Sequence, residues 1–152
     1  MAASFEPADA AYETRVRASF ARQGAMAHLG AVLDKVEPGR VEISCAFRPE
    51  LSQQHGFFHA GIISTLADSA GGYAAFTLFP AESGVLTIEF KVNLMAPADG
   101  ERVFAVGEVL RSGRTITVCR IDAHVEKAGR RIHCATGLAT LMTVVGRAGV
   151  KD

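Results

Sequence analysis

Apolar and polar residues alternate along much of this chain, with the period of two that is typical of β-strands. The alternation is clearest over residues 41–47, which therefore predict a half-buried strand. Pro38-Gly39, Ser112-Gly113 and Ala128-Gly129 are turn signals between such stretches. The pattern predicts an apolar segment entering a strand over residues 26–36, and strands over residues 41–47, 85–94, 102–110, 115–125 and 131–144.

One long apolar segment, residues 60–79, interrupts the alternation and predicts a helix. Asp68 is its only charged residue, and Pro80 ends it because proline cannot continue a helix. Small residues crowd the segment. Since glycine disfavours a helix interior by about 1 kcal/mol, this crowding indicates close packing against a sheet that wraps around the helix.

A shorter helix is predicted over residues 9–23, with Gly24 as its stop. Tyr12, Val16 and Phe20 recur every four positions and form one apolar stripe. The element order is helix, two strands, long helix and four strands, which favours an α+β fold with an antiparallel sheet over a parallel βαβ sheet. We expect one domain over residues 9–145, a disordered N-terminus over residues 1–8 and a C-terminal tail over residues 146–152.

The composition narrows the possible partners. Sixteen basic residues balance sixteen acidic ones, so no overall field attracts nucleic acid or an anionic membrane. The absence of Trp and the presence of only two Tyr leave little for base stacking. Cys45, Cys119 and Cys134 match neither a zinc pattern nor a disulfide framework, and they favour buried free thiols in a reducing compartment.

The sequence also argues against targeting to a membrane. Glu6 and Asp9 stand where a signal peptide needs a cationic start and an apolar run. Residues 60–79 approach the length of a transmembrane helix, but Asp68, three glycines and several hydroxyls interrupt them, and no basic flank orients a span. We therefore expect a cytoplasmic protein that binds neither membrane nor nucleic acid.

Asp68 is the first candidate for chemistry, because a carboxylate in an apolar helix is costly unless it is paired or used. It follows His59 by nine residues, about two and a half helical turns. Two interpretations remain open. Asp68 is either a buried residue bonded to a neighbouring backbone, Ser or Thr group, or a general base or nucleophile whose pKa is tuned by partial burial.

His59-Ala60-Gly61 is the predicted start of the long helix. Free N–H groups at the positive end of the helix dipole can stabilise a carbonyl oxygen that gains charge during attack. Ala60 and Gly61 are small enough for a ligand to approach the backbone, although the same two residues can simply permit close packing. Gln53 precedes this site, and its amide either donates to a carbonyl, holds a water or is only solvated.

Other chemistries find less support. His55 and His59 are four residues apart, but they lack the acidic neighbour of zinc proteases and a third ligand, so no metal site is expected. The hydroxyls of the long helix are not in a Gly-x-Ser-x-Gly elbow, and no phosphate-binding glycine loop occurs. Basic turns at residues 111–115 and 127–131 are either solvated surface or sites for the phosphates of a nucleotide-bearing ligand.

Taken together, these motifs resemble the hotdog-fold acyl-CoA thioesterases over roughly residues 25–145, and the phenylacetic-acid-degradation (PaaI-like) group most closely. In that fold a long antiparallel sheet wraps around one central helix, here with an extra N-terminal helix. The residues that carry the resemblance are Gln53, His59-Ala60-Gly61, Asp68, a strand from Thr87 to near Met95-Ala96-Pro97, and Gly113-Arg114-Thr115 in a hairpin.

The resemblance implies a role for each residue of the motif. Asp68 matches the family's acidic nucleophile or general base, and Thr87 matches a Ser or Thr that positions water or the carboxylate. Gln53 matches an Asn or Gln that binds the thioester carbonyl or the attacking water. Ala60 matches a Gly whose N–H polarises that carbonyl, and His59 matches the His before it, which supports the loop.

The resemblance also implies a homodimer or a homotetramer, with each site between two subunits, so that Asp68 faces Gln53 and Ala60 of the partner. No cofactor is implied, because coenzyme A is part of the substrate. The implied substrate and coenzyme A contacts are Gly61, Arg111, Gly113, Arg114 and Thr115.

The expected reaction is hydrolysis of an aryl or medium-chain acyl-CoA to the free acid and coenzyme A. The family usually has His-Gly-Gly where this chain has Ala60, whose methyl group limits the backbone and narrows the approach to the thioester. Two alternatives remain, a non-catalytic acyl-CoA-binding module and an enoyl-CoA hydratase or dehydratase. The aromatic residues that either line an acyl pocket or pack in the core are Phe57, Phe58, Tyr73 and Phe76.

Overall fold

The computed structural model describes residues 5–151 and has the predicted order of elements. The elements are helices α1 (Tyr12–Arg22) and α2 (Gly24–Leu29), strands β1 (Val32–Glu37) and β2 (Arg40–Ala46), a 3-10 turn (Pro49–Leu51), helix α3 (Ala60–Phe76), and strands β3 (Ser83–Leu94), β4 (Arg102–Ser112), β5 (Ile116–Lys127) and β6 (Arg130–Val145).

The strands of the described residues form one antiparallel sheet in the order β1-β2-β4-β5-β6-β3. Helix α3 packs across the inner face of this sheet and contacts strands β2 to β6. The predicted α+β architecture, a long antiparallel sheet around one central helix with an additional N-terminal helix, is confirmed. Strands β1 and β3 are the two edges of the sheet.

The small residues of α3 lie where the sheet comes closest to the helix. A Cβ atom added to Gly71 would lie 2.8 Å from Ile121 Cγ2, and one added to Gly107 of β4 would lie 2.2 Å from the Ala70 carbonyl oxygen. Leu66 and Phe76 are fully buried on either side of this contact. The helix therefore carries glycine there because a side chain would push the sheet away.

The prediction that Gly24 stops the first helix is wrong. Helix α1 ends at Arg22 because Gln23 is extended, and Gly24 begins a second short helix that buries Met26 and Leu29. That helix ends at Gly30, whose φ of 66° is the left-handed conformation that glycine adopts at little cost. Part of the predicted strand segment over residues 26–36 is therefore helical.

Strand β2 is buried on both faces rather than on one. Its polar face carries Glu42 and Ser44, which are buried. Arg131 Nη2 donates to Glu42 Oε1 over 3.0 Å, and Arg102 Nη1 donates to Ser44 Oγ over 3.1 Å. The alternation predicted the strand correctly, but it could not show that long basic side chains of β4 and β6 cover the outer face.

Both ends of the described chain pack against the domain. Phe5 is half-buried against Gly39, within the segment for which we predicted disorder, and residues 1–4 lie outside the described residues. In the C-terminal tail, Val150 contacts the backbone of Gly84. No helix within residues 5–151 is long and apolar enough to cross a membrane.

Candidate active site

Asp68 lies on α3, partly buried, and points towards β3. Thr87 Oγ1 of that strand donates to Asp68 Oδ1 over 2.8 Å. Burial raises the pKa of Asp68 above its ordinary value, because desolvation disfavours the charged form, while the Thr87 hydroxyl opposes the rise. A carboxylate with a raised pKa and one oxygen free of Thr87 is suited to accept a proton or to attack an electrophile.

A cleft of about 270 Å³ opens beside the carboxylate. Asp68 and Thr87 form one side of it, and Val85 of β3 continues that side. The remaining lining residues come from α1, from the residue directly after it and from the middle of α3. They are Ser19, Arg22, Gln23, Ser69, Gly72 and Tyr73.

His59 is the N-terminal cap of α3. Its Nδ1 accepts a hydrogen bond of 2.8 Å from the Gly61 N–H, and its backbone N–H donates to the Leu51 carbonyl. The bond to His59 Nδ1 occupies the N–H of Gly61, whereas the N–H of Ala60 has no acceptor within residues 5–151. The cap therefore leaves one oriented backbone donor at the positive end of the helix.

Gln53 sits in the turn that leads into this helix. Its Oε1 accepts hydrogen bonds from the backbone N–H groups of His55 and Phe57, so the amide nitrogen points the other way. Within the described residues Nε2 has no acceptor. Because an amide nitrogen carries two N–H donors, Gln53 is arranged to donate to a carbonyl oxygen.

Gln53 and Ala60 border a second cleft, of about 380 Å³, at the N-terminal end of α3. Ala60 and Asp68 are eight residues apart on one helix, which separates them by about 12 Å along its axis. One thioester carbonyl cannot touch both positions of the same chain. The predicted catalytic residues therefore fall into two groups, Asp68 with Thr87, and Gln53 with His59 and Ala60.

The second cleft is mostly apolar, and it contains two of the four aromatic residues considered for an acyl pocket. Phe57 and Phe58 line it, together with Ile63 and residues 94–98. Tyr73 instead lines the cleft of Asp68, and Phe76 is fully buried in the core. The sequence could not separate these four, because their surroundings depend on how α3 and the turn before it pack against the sheet.

The residues that we expected to contact coenzyme A lie on the exposed hairpin between β4 and β5. The Gly113 N–H donates to the Ile116 carbonyl over 2.9 Å and closes the turn. Ile116 pairs with Met142 and Met142 pairs with Leu86, so the hairpin lies about 10 Å from the β3 residue that precedes Thr87. The exposed hairpin residues are Arg111, Gly113, Arg114 and Thr115.

Sequence reasoning missed the contribution of α1 to the Asp68 cleft. Ser19 Oγ and Tyr73 Oη are 3.2 Å apart, and Ser69 Oγ donates to Gln23 Oε1 over 3.3 Å. A signal was present for Ser19, because it follows Val16 by three residues and so lies on the buried face of α1. Polar residues on an otherwise apolar face indicate contact with something polar.

His, Cys, Asp and Glu side chains form no group of three or more that could hold a metal ion within residues 5–151. His59 uses Nδ1 as the helix cap, and His55 Nε2 contacts the Gln54 amide over 3.4 Å. Cys45, Cys119 and Cys134 are free and buried, and burial raises the pKa of Cys119 to about 12.

Comparisons with known proteins show which family this chain is similar to. A medium/long-chain acyl-CoA thioesterase of Escherichia coli strain K12 is 26% identical over 129 residues, which are 75% of this chain and 81% of that protein. A "Putative esterase" of Saccharolobus solfataricus is 34% identical over 87 residues, 57% of this chain and 61% of that relative. This chain therefore spans less than two thirds of the second relative.

Among solved structures, a thioesterase family protein from Silicibacter pomeroyi superposes with a TM-score of 0.87 and 52% identity, over 89% of this chain and 99% of that protein. The profile of the Thioesterase superfamily matches residues 55–132, which include the helix cap, Asp68, Thr87 and the β4–β5 hairpin. On this evidence of sequence, fold and local geometry, the chain belongs to the thioesterase superfamily and is a thioester hydrolase.

Proposed function

We propose that this protein hydrolyses an aryl or medium-chain acyl-CoA to the free acid and coenzyme A, as a member of the PaaI-like group with one catalytic domain over residues 9–145. The observation that carries the proposal is the pairing of Asp68 with Thr87 in one cleft, while Gln53 and Ala60 present unused donors in another. These are the base and the oxyanion donors that thioester hydrolysis requires.

The chemical step uses Asp68 in one of two ways. As a general base, its carboxylate takes a proton from water, and the hydroxide oxygen bonds to the thioester carbon. As a nucleophile, its own oxygen forms that bond, and water hydrolyses the resulting anhydride. In both routes the Ala60 N–H and the Gln53 amide hold the oxyanion, the C–S bond breaks, and the coenzyme A thiolate accepts a proton.

The site is completed by a second copy of the chain, in a dimer or a dimer of dimers. The separation of Asp68 from Ala60 within one chain supports this arrangement, because each group then meets the other group of the partner. Strand β3 is a sheet edge, and Ile88, Phe90 and Leu94 on it are each 45% or more exposed. An exposed apolar edge of this kind favours pairing with a partner strand.

Coenzyme A lies along the β4–β5 hairpin in this proposal, with Gly61 near its acyl end. Arg111 and Arg114 are the exposed cations that would face its phosphates. Three free, buried thiols suit a reducing compartment, and we place the reaction in the cytoplasm. The hydratase alternative needs His59 as an acid or base, whereas its Nδ1 already accepts the helix N–H.

The test is thiol release from aryl and straight-chain acyl-CoAs by the wild type and Asp68→Asn. We expect turnover by the wild type and a loss of at least about 100-fold in kcat for the variant, since the base is removed. Retained binding of coenzyme A by Asp68→Asn is the control for folding. Tight binding of acyl-CoA without turnover by the wild type would instead identify a binding module, and hydration of an enoyl-CoA would identify a hydratase.

A further inference from the structure

Two adjacent glycines in α3 differ in what surrounds them. Gly71 has a packing reason, because an added Cβ would lie 2.8 Å from Ile121 Cγ2. Gly72 is also buried, yet a Cβ added there meets no heavy atom within 4 Å outside its own stretch of helix, among residues 5–151. Glycine disfavours a helix interior by about 1 kcal/mol, so packing within the described chain does not account for Gly72.

The open space beside Gly72 is the cleft that also contains Asp68. Gly72 follows Asp68 by four residues, so the two lie on the same face of α3 about 6 Å apart along the axis. The space above Gly72 is therefore one helical turn beyond the carboxylate that would meet the thioester carbon. Any side chain at position 72 would project into this space.

The wall around this space is polar and already paired. The Ser19–Tyr73 hydroxyl contact and the Ser69–Gln23 hydrogen bond join α1 to α3 on its far side. Val85 and the ring of Tyr73 supply apolar surface. Because the hydroxyl groups of Ser19, Tyr73 and Ser69 already have partners, a group that enters the space beside them gains more from filling it than from hydrogen bonds to these hydroxyls.

We propose that Gly72 is a specificity-determining residue, which keeps the cleft open for the acyl group of the substrate. This inference rests on the proposed function. Each carbon–carbon bond is about 1.5 Å long and lengthens an extended acyl chain by somewhat less than that. An acetyl group whose thioester carbon is at Asp68 therefore ends before it reaches Gly72. A phenylacetyl or hexanoyl group extends over it. The substrate class is therefore acyl groups of at least about six carbons or one ring.

The experiment compares Gly72→Leu with the wild type on acetyl-, hexanoyl- and phenylacetyl-CoA. The leucine side chain occupies the space above position 72, so kcat/KM for the two larger substrates falls at least about 10-fold relative to that for acetyl-CoA. Ala96→Leu is the matched control, because it adds the same side chain to the second cleft. We expect any loss of kcat/KM that it causes to be equal for the three substrates.

Stability provides a second readout. Gly72→Ala raises Tm by about 2–4 °C, because alanine favours the helix and its Cβ meets nothing. Gly71→Ala lowers Tm, because its Cβ clashes with Ile121. A fall in Tm for Gly72→Ala would contradict the open space on which the inference rests.

Two further results would overturn the inference. One is an equal loss of kcat/KM by Gly72→Leu on all three substrates, and the other is selective loss by Ala96→Leu instead. If the wild type hydrolyses no thioester, the proposed function fails, and calorimetric titration with S-ethyl-CoA and S-hexyl-CoA then tests Gly72 separately. Weaker binding of only the hexyl thioether by Gly72→Leu supports the inference, whereas equal binding or none refutes it.

Discussion

At the scale of single residues, the environment of Asp68 explains how one carboxylate can act as a base. Burial raises its pKa, and the hydrogen bond from Thr87 lowers it and so reduces the rise. The two effects have opposite signs because desolvation destabilises the ionised form while the hydroxyl stabilises it. The hydrogen bond from Thr87 therefore extends to lower pH the range in which Asp68 is ionised.

We expect Thr87→Val to move the acid limb of the pH profile of kcat/KM to higher pH. In the proposed mechanism ionised Asp68 is the active form, so the rate should fall as the pH decreases through the pKa of Asp68. Removal of the hydroxyl leaves desolvation unopposed and raises that pKa further.

The measurement is kcat/KM across pH for the wild type, Thr87→Val and Thr87→Ser. The serine variant keeps a hydroxyl donor, and its acid limb should stay near that of the wild type. An acid limb that moves to lower pH in the valine variant would show that Thr87 does not stabilise the carboxylate.

At the scale of elements, Arg15 of α1 binds the C-terminal end of α3 and the turn after it. Arg15 donates to the carbonyl oxygens of Pro80 and Phe79, each over 2.7 Å, and its guanidinium lies 4.3 Å from the centre of the Phe76 ring. A salt bridge of 3.2 Å to Asp9 completes the arrangement. Helix α1 is thereby held over the cleft whose wall it forms.

We expect Arg15→Ala to lower the free energy of unfolding by about 2–4 kcal/mol, because several hydrogen bonds from a charged donor are lost in a partly buried place. Urea unfolding measures the change. Arg17→Ala on the same helix is the control, since its bridge to Glu13 is exposed and its loss costs about 0.5 kcal/mol. Equal losses in the two variants would show that Arg15 does not anchor the helix.

At the scale of the whole molecule, the proposed mechanism requires two chains to meet, because the two groups of proposed catalytic residues lie in different clefts. Asp68 lies in one cleft, and Gln53 lies in the other. In the two-fold dimer that we propose, each active site would take Asp68 from one chain and Gln53 from its partner. This division can be tested without a structure of the dimer.

We expect Asp68→Asn and Gln53→Ala to complement each other when they are co-expressed. Half of the randomly assembled dimers contain one chain of each kind, and each has one intact site, so about one quarter of wild-type activity returns. Thiol release from the co-purified mixture measures it. Either variant alone, at the same total concentration, is the control, and a mixture no more active than these would place the whole site in one chain.

The sequence by itself determined the kinds of elements and most of the candidate site. Alternation marked the strands, and one apolar segment with a single carboxylate marked α3 and Asp68. These signals are local, because a period of two or the start of a helix depends only on neighbouring residues. His59 was for the same reason identified as lying at the helix start, where the structure shows it to be the cap.

Only the tertiary structure decided what depends on distant contacts. It decided that β2 is covered on both faces, that Gly24 starts a helix, and that α1 completes the Asp68 cleft. It also separated Gly71, which packs on β5, from Gly72, which opens on the cleft. Two identical residues side by side acquire different surroundings only when the sheet wraps around the helix, because packing depends on residues far apart in the chain.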